Sequence, residues 1–563
     1  MLPQPLLSVN NLSIGFKSNG SIKKVVHSIS FDVFENEIVG IVGESGSGKS
    51  VTALSLLQLL PKDEKTHISA KIVYKGNDLI QLEDKNIQDL RGREIAMIFQ
   101  EPMSALNPSM RCGEQVTEIL LHHKIVKKKE VRAVVLRLFE NVKIPDPLTA
   151  FWKYPHELSG GQQQRVMIAM AIACRPKILI ADEPTTALDV TVQKDIITLL
   201  ISLQKETKMA VVFISHDLSL VSEIAHKTMV MYRGEIVEKG ATKSLFKSPK
   251  HPYTKALIAA RPKMGKRLEQ LPTIKDLLSA SKPLNFITKK ARIQKHKAIY
   301  SSSPILKVID LEKVYLKNVS LFGKKTAFKA VDGVTFELYE GETLGLVGES
   351  GCGKSSLGNA ILQLNKATAG TIIYKGKDLQ KLSNKAMRSL RKEIQIIFQD
   401  PLSSLNPRMT VGEAIMEPMI VHKLNGNVEN RKLKALLLLE KVGLDETCFE
   451  RYPHEFSGGQ RQRIGIARTI AVEPKLIVCD ESVSALDISV QAQVLNLLNS
   501  LKKEFSFTYI FISHDLAVVK HMSDQLLVMN RGKIEEKGEA DELYSNPKKA
   551  YTQRLINSIP KGL

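Results

Sequence analysis

The chain writes most of its motifs twice. "GESGSGKS" at 43–50 returns as "GESGCGKS" at 348–355, and "YPHELSGGQQQR" at 154–165 returns as "YPHEFSGGQRQR" at 452–463. "DEPTTALDVTVQ" at 182–193 returns as "DESVSALDISVQ" at 480–491, and "FISHDLSLV" at 213–221 as "FISHDLAVV" at 511–519. The offset is 305 residues at the glycine loops, 299 at Gln100 and Gln399, and 298 from there on. A period this long marks duplication of a whole domain, not a solenoid of stacked short repeats. The 563 residues are therefore expected to fold as two similar halves, 1–262 and 304–563. Between them lies 263–303, a basic stretch punctuated by proline and serine that reads as a linker. As a flexible chain it would span roughly 35 Å, enough to hold two domains face to face.

Within each half, short β-branched apolar runs end in motifs. "EIVGIVGES" enters the first glycine loop, and "KILIADE" and "AVVFISH" are two further continuous runs. Such runs suit strands buried on both faces of a parallel sheet. Alternation of strand, loop and helix predicts an α/β core. The longer segments 101–157 and 400–455 predict an inserted helical subdomain.

Composition narrows the setting. The net charge of +21 admits nucleic acid, anionic lipid or phosphate-rich ligands, and equally a solvated basic surface. Five cysteines, Cys112, Cys174, Cys352, Cys448 and Cys479, show no paired or metal-binding spacing, which fits a reducing compartment. No secretory signal is visible at the start, and no apolar run approaches the length that crosses a bilayer. A soluble or peripheral chain is expected.

Gly43 and Gly48, followed by Lys49 and Ser50, frame a phosphate-gripping loop, and Gly348, Gly353, Lys354 and Ser355 repeat it. Glycine lets backbone N–H groups curl around phosphate oxygens, and the next helix points its positive end at them. The loop backbone of Ser45, Gly46, Ser350 and Gly351, with Val51 and Ser356 in the first helical turn, belongs to the same cradle. The lysine reaches the β- and γ-phosphates and the serine hydroxyl binds Mg²⁺.

Asp182 and Glu183, like Asp480 and Glu481, close an apolar strand run. An acid at the carboxyl end of a parallel strand faces the ligand crevice. The aspartate would hold Mg²⁺, and the glutamate would orient and deprotonate an attacking water. Ser159, Gly160, Gly161 and Gln162, and again Ser457, Gly458, Gly459 and Gln460, open a helical run and so offer a second anion site.

This set, in this order and twice over, with isolated Gln100 or Gln399 and His216 or His514, resembles the ATP-binding-cassette ATPases. The resemblance covers almost all of the chain outside the linker. It implies two tandem phosphate-loop domains, each with a mostly parallel core sheet, an N-terminal antiparallel β subdomain and an inserted helical subdomain. It implies ATP and Mg²⁺ as ligands and a head-to-tail arrangement with two composite sites. One would combine Lys49, Ser50, Asp182, Glu183 and His216 with Ser457, Gly459 and Gln460. The other would combine Lys354, Ser355, Asp480, Glu481 and His514 with Ser159, Gly161 and Gln162. Gln100 and Gln399 would sense Mg²⁺, the histidines would contact the γ-phosphate, and Phe16 and Tyr315 are candidates to stack on adenine. Both halves keep the glutamate, so two hydrolysing sites are expected. Ser482 stands where the first half has Pro184. Cys352, inside the second loop, is an expected target of thiol reagents.

"PLSSLNPRMTVGE" after Gln399, with its sibling after Gln100, looks like the dipeptide, oligopeptide and nickel importer group. So do "HPYTKALIAARP" at 251–262 and "AYTQRLINSIP" at 550–560. Fused two-cassette members of that group serve importers of peptides, glutathione and microcin-like peptides. By this resemblance the chain is an importer's energy subunit, peripheral on the cytoplasmic face of the inner membrane. Its partners would be two membrane-spanning permease subunits and an extracytoplasmic solute-binding protein, with no nucleic acid. Some members carry a cysteine-bearing extension for an iron–sulfur cluster; the segment after Arg261 and Pro262 has no cysteine, so none is expected. The alternative is a soluble two-cassette ATPase acting on ribosomes, which the charge favours slightly.

Overall fold

The computed structural model describes residues 4–18, 20–63, 65–186, 188–260, 267–279, 285–318, 325–400, 404–484 and 486–559. Two compact units form, the first mainly from residues 1–259 and the second mainly from 260–559. The expected boundary at 262/263 lies outside the described residues.

The first unit contains a six-stranded sheet ordered Glu235–Ala241, Lys227–Tyr232, Ile38–Val42, Ala210–Ser215, Ile178–Asp182, Ile95–Ile98. All pairings are parallel except that of the edge strand Glu235–Ala241. Ile38–Val42, Ile178–Asp182 and Ala210–Ser215 are buried along their whole length, which is why they read as unbroken apolar runs. A second, antiparallel sheet of four strands is built on Leu7–Ser18, Ser21–Val33 and Thr66–Tyr74. Helices Cys112–His122, Val131–Asn141 and Pro147–Trp152 form the inserted helical part.

The second unit repeats both sheets. Its six-stranded sheet runs Ile394–Ile397, Leu476–Asp480, Thr508–Ile512, Thr343–Val347, Gln525–Asn530, Lys533–Glu539. Helices Val411–Val421 and Val428–Lys441 occupy the inserted position.

In both units, four adjacent parallel strands deliver their motifs to one sheet edge. Ile38–Val42 leads to the glycine loop, Ala210–Ser215 to His216, Ile178–Asp182 to the acid pair, and Ile95–Ile98 to Gln100. Convergence at the carboxyl ends of parallel strands is where such sheets bind ligands. No described helix is long and apolar enough to cross a membrane.

The segment read as a flexible linker differs in the structure: its described part is ordered on the second unit. Helices form at Ile274–Leu278 and Lys289–Tyr300. Arg292, only 8% exposed, pairs with Glu539 and Asp541 and donates to the Ser523 and Asp524 carbonyls. Arg267 pairs with Asp541, Lys295 with Asp524, and Asn496 bonds both backbone groups of Leu271. A basic stretch looks solvated when its acidic partners sit more than 200 residues further along the chain.

Candidate functional site

The first glycine loop bridges the buried strand Ile38–Val42 and the helix Lys49–Leu56. A Cβ on Gly43 would lie 2.3 Å from the Met231 carbonyl oxygen, and on Gly348 the same distance from that of Met529, so neither position has room for a side chain. Gly46 and Gly351 have room but adopt φ +77°, which favours glycine. Ser45, Gly46, Ser350 and Gly351 are all exposed. Val51 and Ser356 fall in the first helical turn, partly buried.

Lys49 Nζ donates to the carbonyls of Gly43 at 2.9 Å and Glu44 at 3.0 Å, and lies 3.9 Å from Glu183. The Ser50 hydroxyl donates to Asp182 at 3.1 Å. Glu183 Oε2 accepts from Gln100 Nε2 at 3.1 Å and the Thr186 hydroxyl at 2.9 Å, and lies 2.9 Å from His216 Nδ1. Glu183 sits at φ +47°, as does Glu481. A left-handed glutamate carries backbone strain of the kind found at functional sites. The strain is held by the Glu183 N–H, which continues the strand ladder to Ile214 O at 2.9 Å.

Burial is the largest influence on Asp182 and raises its carboxyl to about 6. Burial also pushes Glu183 up, but the bond and charge of His216, with Lys49 and Thr186, outweigh it and hold Glu183 at about 2. Burial lowers His216, yet its bond to Glu183 wins and the imidazole is raised above its ordinary value. The first centre thus sets a strongly acidic glutamate against a histidine of raised basicity, beside a second, less acidic carboxyl.

The second unit assembles the same groups. Lys354 donates to the Gly348 and Glu349 carbonyls at 2.8 and 2.9 Å, Ser355 to Asp480 at 3.0 Å, and Gln399 to Glu481 at 2.8 Å. His514 lies 3.5 Å from Glu481. Asp480 is raised, chiefly by burial; Glu481 is lowered, its burial being outweighed by His514 and Lys354. Cys352 does not match its expected reactivity. It is buried, and burial holds its thiol above the ordinary value, against the fraction of thiolate that reagents need.

Ser159 caps the helix Gly160–Ile172, and its side chain and that of Gln162 bond each other's backbone N–H at 3.4 and 3.1 Å. Ser457 and Gln460 do the same for Gly458–Ile470 at 3.4 and 3.0 Å. A Cβ on Gly161 would press on Val192, and one on Gly459 on Val490, so each turn packs directly on the following helix. Gly160 and Gly458 stand at the first helical position. Phe16 is partly buried against the core of its own unit, whereas Tyr315 is 37% exposed with the Lys313 ammonium 5.0 Å from its ring.

Two groups of residues escaped the motif reading. Thr186 bonds the Glu183 carboxylate, and its only sequence signal was a hydroxyl three residues after the glutamate in both halves. Tyr253 and Tyr551 reach the glycine loops from the end of each half; their signal was the repeated "YT".

Comparison with known proteins agrees with this geometry. The family "ABC transporter" matches residues 26–186 and 331–484. The family "Oligopeptide/dipeptide transporter, C-terminal region" matches 237–284 and 536–562, taking in the start of the segment read as linker. The Glutathione import ATP-binding protein GsiA of Pectobacterium atrosepticum is 43% identical over all of this chain and 90% of its own length. That of Escherichia coli K12 is 44% identical over 99% of this chain and 89% of its own. A solved ABC transporter cassette, MJ0796, is 27% identical over 42% of this chain and 98% of its own, with a TM-score of 0.38. The two cassettes, the motif sets at their sheet edges and the matches to the two families and to the glutathione-import relatives show that the chain belongs to the ABC transporter ATP-binding proteins of the oligopeptide/dipeptide importer group, ATPases coupled to transport through membrane permease partners.

Proposed function

We propose that this chain powers uptake of a small peptide of the glutathione kind, delivered by an extracytoplasmic binding protein to two permeases at the inner membrane. The two full-length relatives named for glutathione import carry this reading. The ribosomal alternative loses its ground, since the matched terminal regions are those of peptide transporters. Exposed apolar residues beside the two glutamines, Phe99 and Met103 near Gln100 and Phe398 near Gln399, suit docking of permease helices.

Each ATP would lie between the glycine loop of one half and the serine–glycine turn of the other: Lys49, Ser50, Asp182, Glu183 and His216 with Ser457, Gly459 and Gln460, and Lys354, Ser355, Asp480, Glu481 and His514 with Ser159, Gly161 and Gln162. Complete sets in both halves support this, as do two capped helix N-termini that can take an anion. Phe16 and Tyr315 remain the candidates for adenine, Tyr315 the more open of the two. Ser50 with Asp182, and Ser355 with Asp480, offer adjacent hard oxygens of the sort Mg²⁺ takes, with Gln100 and Gln399 nearby; a carboxyl raised by burial gains from such a cation. Bound there, Mg²⁺ would neutralise phosphate charge.

Glu183 at about 2 is a weak base for drawing a proton from water. Lys49 and His216, which hold it there, are also the groups that would meet the γ-phosphate. Once phosphate claims them, less positive charge acts on Glu183 and its basicity rises where the water attacks. The base is thereby armed by substrate. Glu481, lowered by His514 and Lys354, would follow the same logic.

Affinity purification of the tagged chain from detergent-solubilised membranes tests the reading. Two multi-span permeases in near-equal amounts, and glutathione-driven ATP hydrolysis when the binding protein is added, are expected. Ribosomal proteins without permeases would overturn it, and stimulation by a different solute would replace the cargo alone.

A further inference from the structure

The end of each half returns to the glycine loop about 200 residues before it. Tyr253, fully buried in the helix Pro252–Ala259, accepts the Glu44 backbone N–H on its hydroxyl at 3.2 Å. Tyr551, in the helix Ala550–Asn557, accepts the Glu349 N–H at the same 3.2 Å. The Glu44 N–H and the Gly43 C=O belong to one peptide group, and that carbonyl accepts from Lys49 at 2.9 Å. One peptide plane is therefore held on its N–H side by a tyrosine and on its C=O side by the loop lysine. The second half repeats the arrangement with Tyr551, the Gly348–Glu349 peptide and Lys354, the last bond at 2.8 Å.

A peptide group is planar, so fixing the direction of its N–H fixes that of its C=O. The tyrosines are themselves fixed. The Glu238 carboxylate accepts the backbone N–H groups of Lys250 and His251 at 2.8 and 3.0 Å, anchoring the start of the Tyr253 helix to the sheet. Glu536 accepts those of Lys548 and Lys549 at 2.8 and 3.1 Å in the second half. The two helices differ at most other positions, "PYTKALIA" against "AYTQRLIN", yet both keep the tyrosine and its bond. Packing alone needs the ring; the hydroxyl serves the loop N–H in both halves, and that of Tyr253 also donates to the Glu44 carboxylate at 3.5 Å.

We propose that Tyr253 and Tyr551 are positioning residues for ATP binding: each hydroxyl orients the first peptide of its glycine loop, and through that carbonyl the lysine that meets the β- and γ-phosphates. The inference rests on the reading that these loops bind ATP. It gives the transporter-type terminal regions, 237–284 and 536–562, a direct part in the nucleotide site.

The test is the full chain carrying Tyr253→Phe and Tyr551→Phe together, which keeps both rings. ATP affinity by equilibrium titration and KM for ATP should each weaken about fivefold, the effect of one neutral hydrogen bond. kcat should fall less than twofold. Lys255→Ala, on the exposed side of the same helix, should leave KM in place. An unchanged KM and affinity, whatever happens to thermal stability, would reduce the tyrosines to core filler and overturn the inference. Lys49→Ala with Lys354→Ala separates the underlying reading. Lost ATP binding there with no tyrosine effect sinks this inference alone, and retained ATP binding there sinks both.

Discussion

In the first half, Glu183 Oε2 accepts from Gln100 and Thr186 and lies 2.9 Å from His216, and its side chain is 8% exposed. In the second, Glu481 accepts from Gln399 and lies 3.5 Å from His514, with its side chain 17% exposed. The parts correspond one to one; the turn after the acid pair does not. Pro184, Thr185 and Thr186 face Ser482, Val483 and Ser484. The Thr186 hydroxyl reaches the Glu183 carboxylate, whereas the Ser484 hydroxyl turns back to the Glu481 carbonyl at 2.8 Å. Proline fixes φ at the first turn position and serine frees it. Both halves therefore keep the glutamate and the histidine, while serine lifts the backbone restriction on the turn after Glu481.

The largest effect expected from breaking this pair of centres is on the histidines. His216→Ala with His514→Ala should cut steady-state ATP turnover about a hundredfold while ATP still binds. Singly, His216→Ala should cost more than His514→Ala, because its contact with the glutamate is the shorter. Equal losses would mean that the shorter contact carries no catalytic weight. Next comes the hydroxyl. Thr186→Val should lower turnover a few-fold, by roughly the effect of one hydrogen bond to a charged group, and Ser484→Ala less than twofold. A larger loss from the serine would reverse the comparison.

The glutamate–histidine pair of the first centre also predicts a pH dependence of stability. Glu183 is depressed to about 2, so its contribution is present above the ordinary carboxyl value and is lost as pH falls through the folded value. His216 is raised, so its contribution is complete below its ordinary value of 6.5 and is lost as pH rises through the folded one. Both act between the ordinary values of the two groups, about pH 4.5 to 6.5. Across about pH 5 to 9, the Tm advantage of the chain over His216→Gln should shrink as pH rises. A constant gap would deny the ion pair. The smallest effect concerns the turn itself. The Ser482 hydroxyl is buried without a hydrogen-bond partner among the described residues. Ser482→Pro should stabilise the second half by about 1 kcal/mol, raising its Tm by about 2–4 °C. A fall in Tm would show that the second turn has departed from proline geometry.

Much of this was legible in the sequence because the signals were local. Glycine spacing, buried strand runs and acids at strand ends each declare themselves within ten residues, and duplication supplied a second reading of each. The sheet-edge convergence of Lys49, Gln100, Asp182, Glu183 and His216 follows from parallel topology once the strands are found. What stayed hidden was long-range and made by ordinary residue types. Arg267 and Arg292 looked like solvated linker charges because Glu539 and Asp541 lie far along the chain. Tyr253 and Tyr551 sat unread within the terminal motifs because their partners are backbone N–H groups, which leave no mark in a sequence. Cys352 looked exposed because a glycine-rich loop suggests openness, whereas its side chain turns into the core of the antiparallel sheet's unit.

Both halves are expected to hydrolyse ATP, each with its own glutamate. Steady-state turnover of Glu183→Gln, Glu481→Gln and the double variant, measured on the intact chain with its permeases, tests it most directly. Each single variant should lose at least about half of the turnover, and the double variant about a hundredfold or more. A single variant with full turnover would contradict it, leaving one working centre and one that only binds.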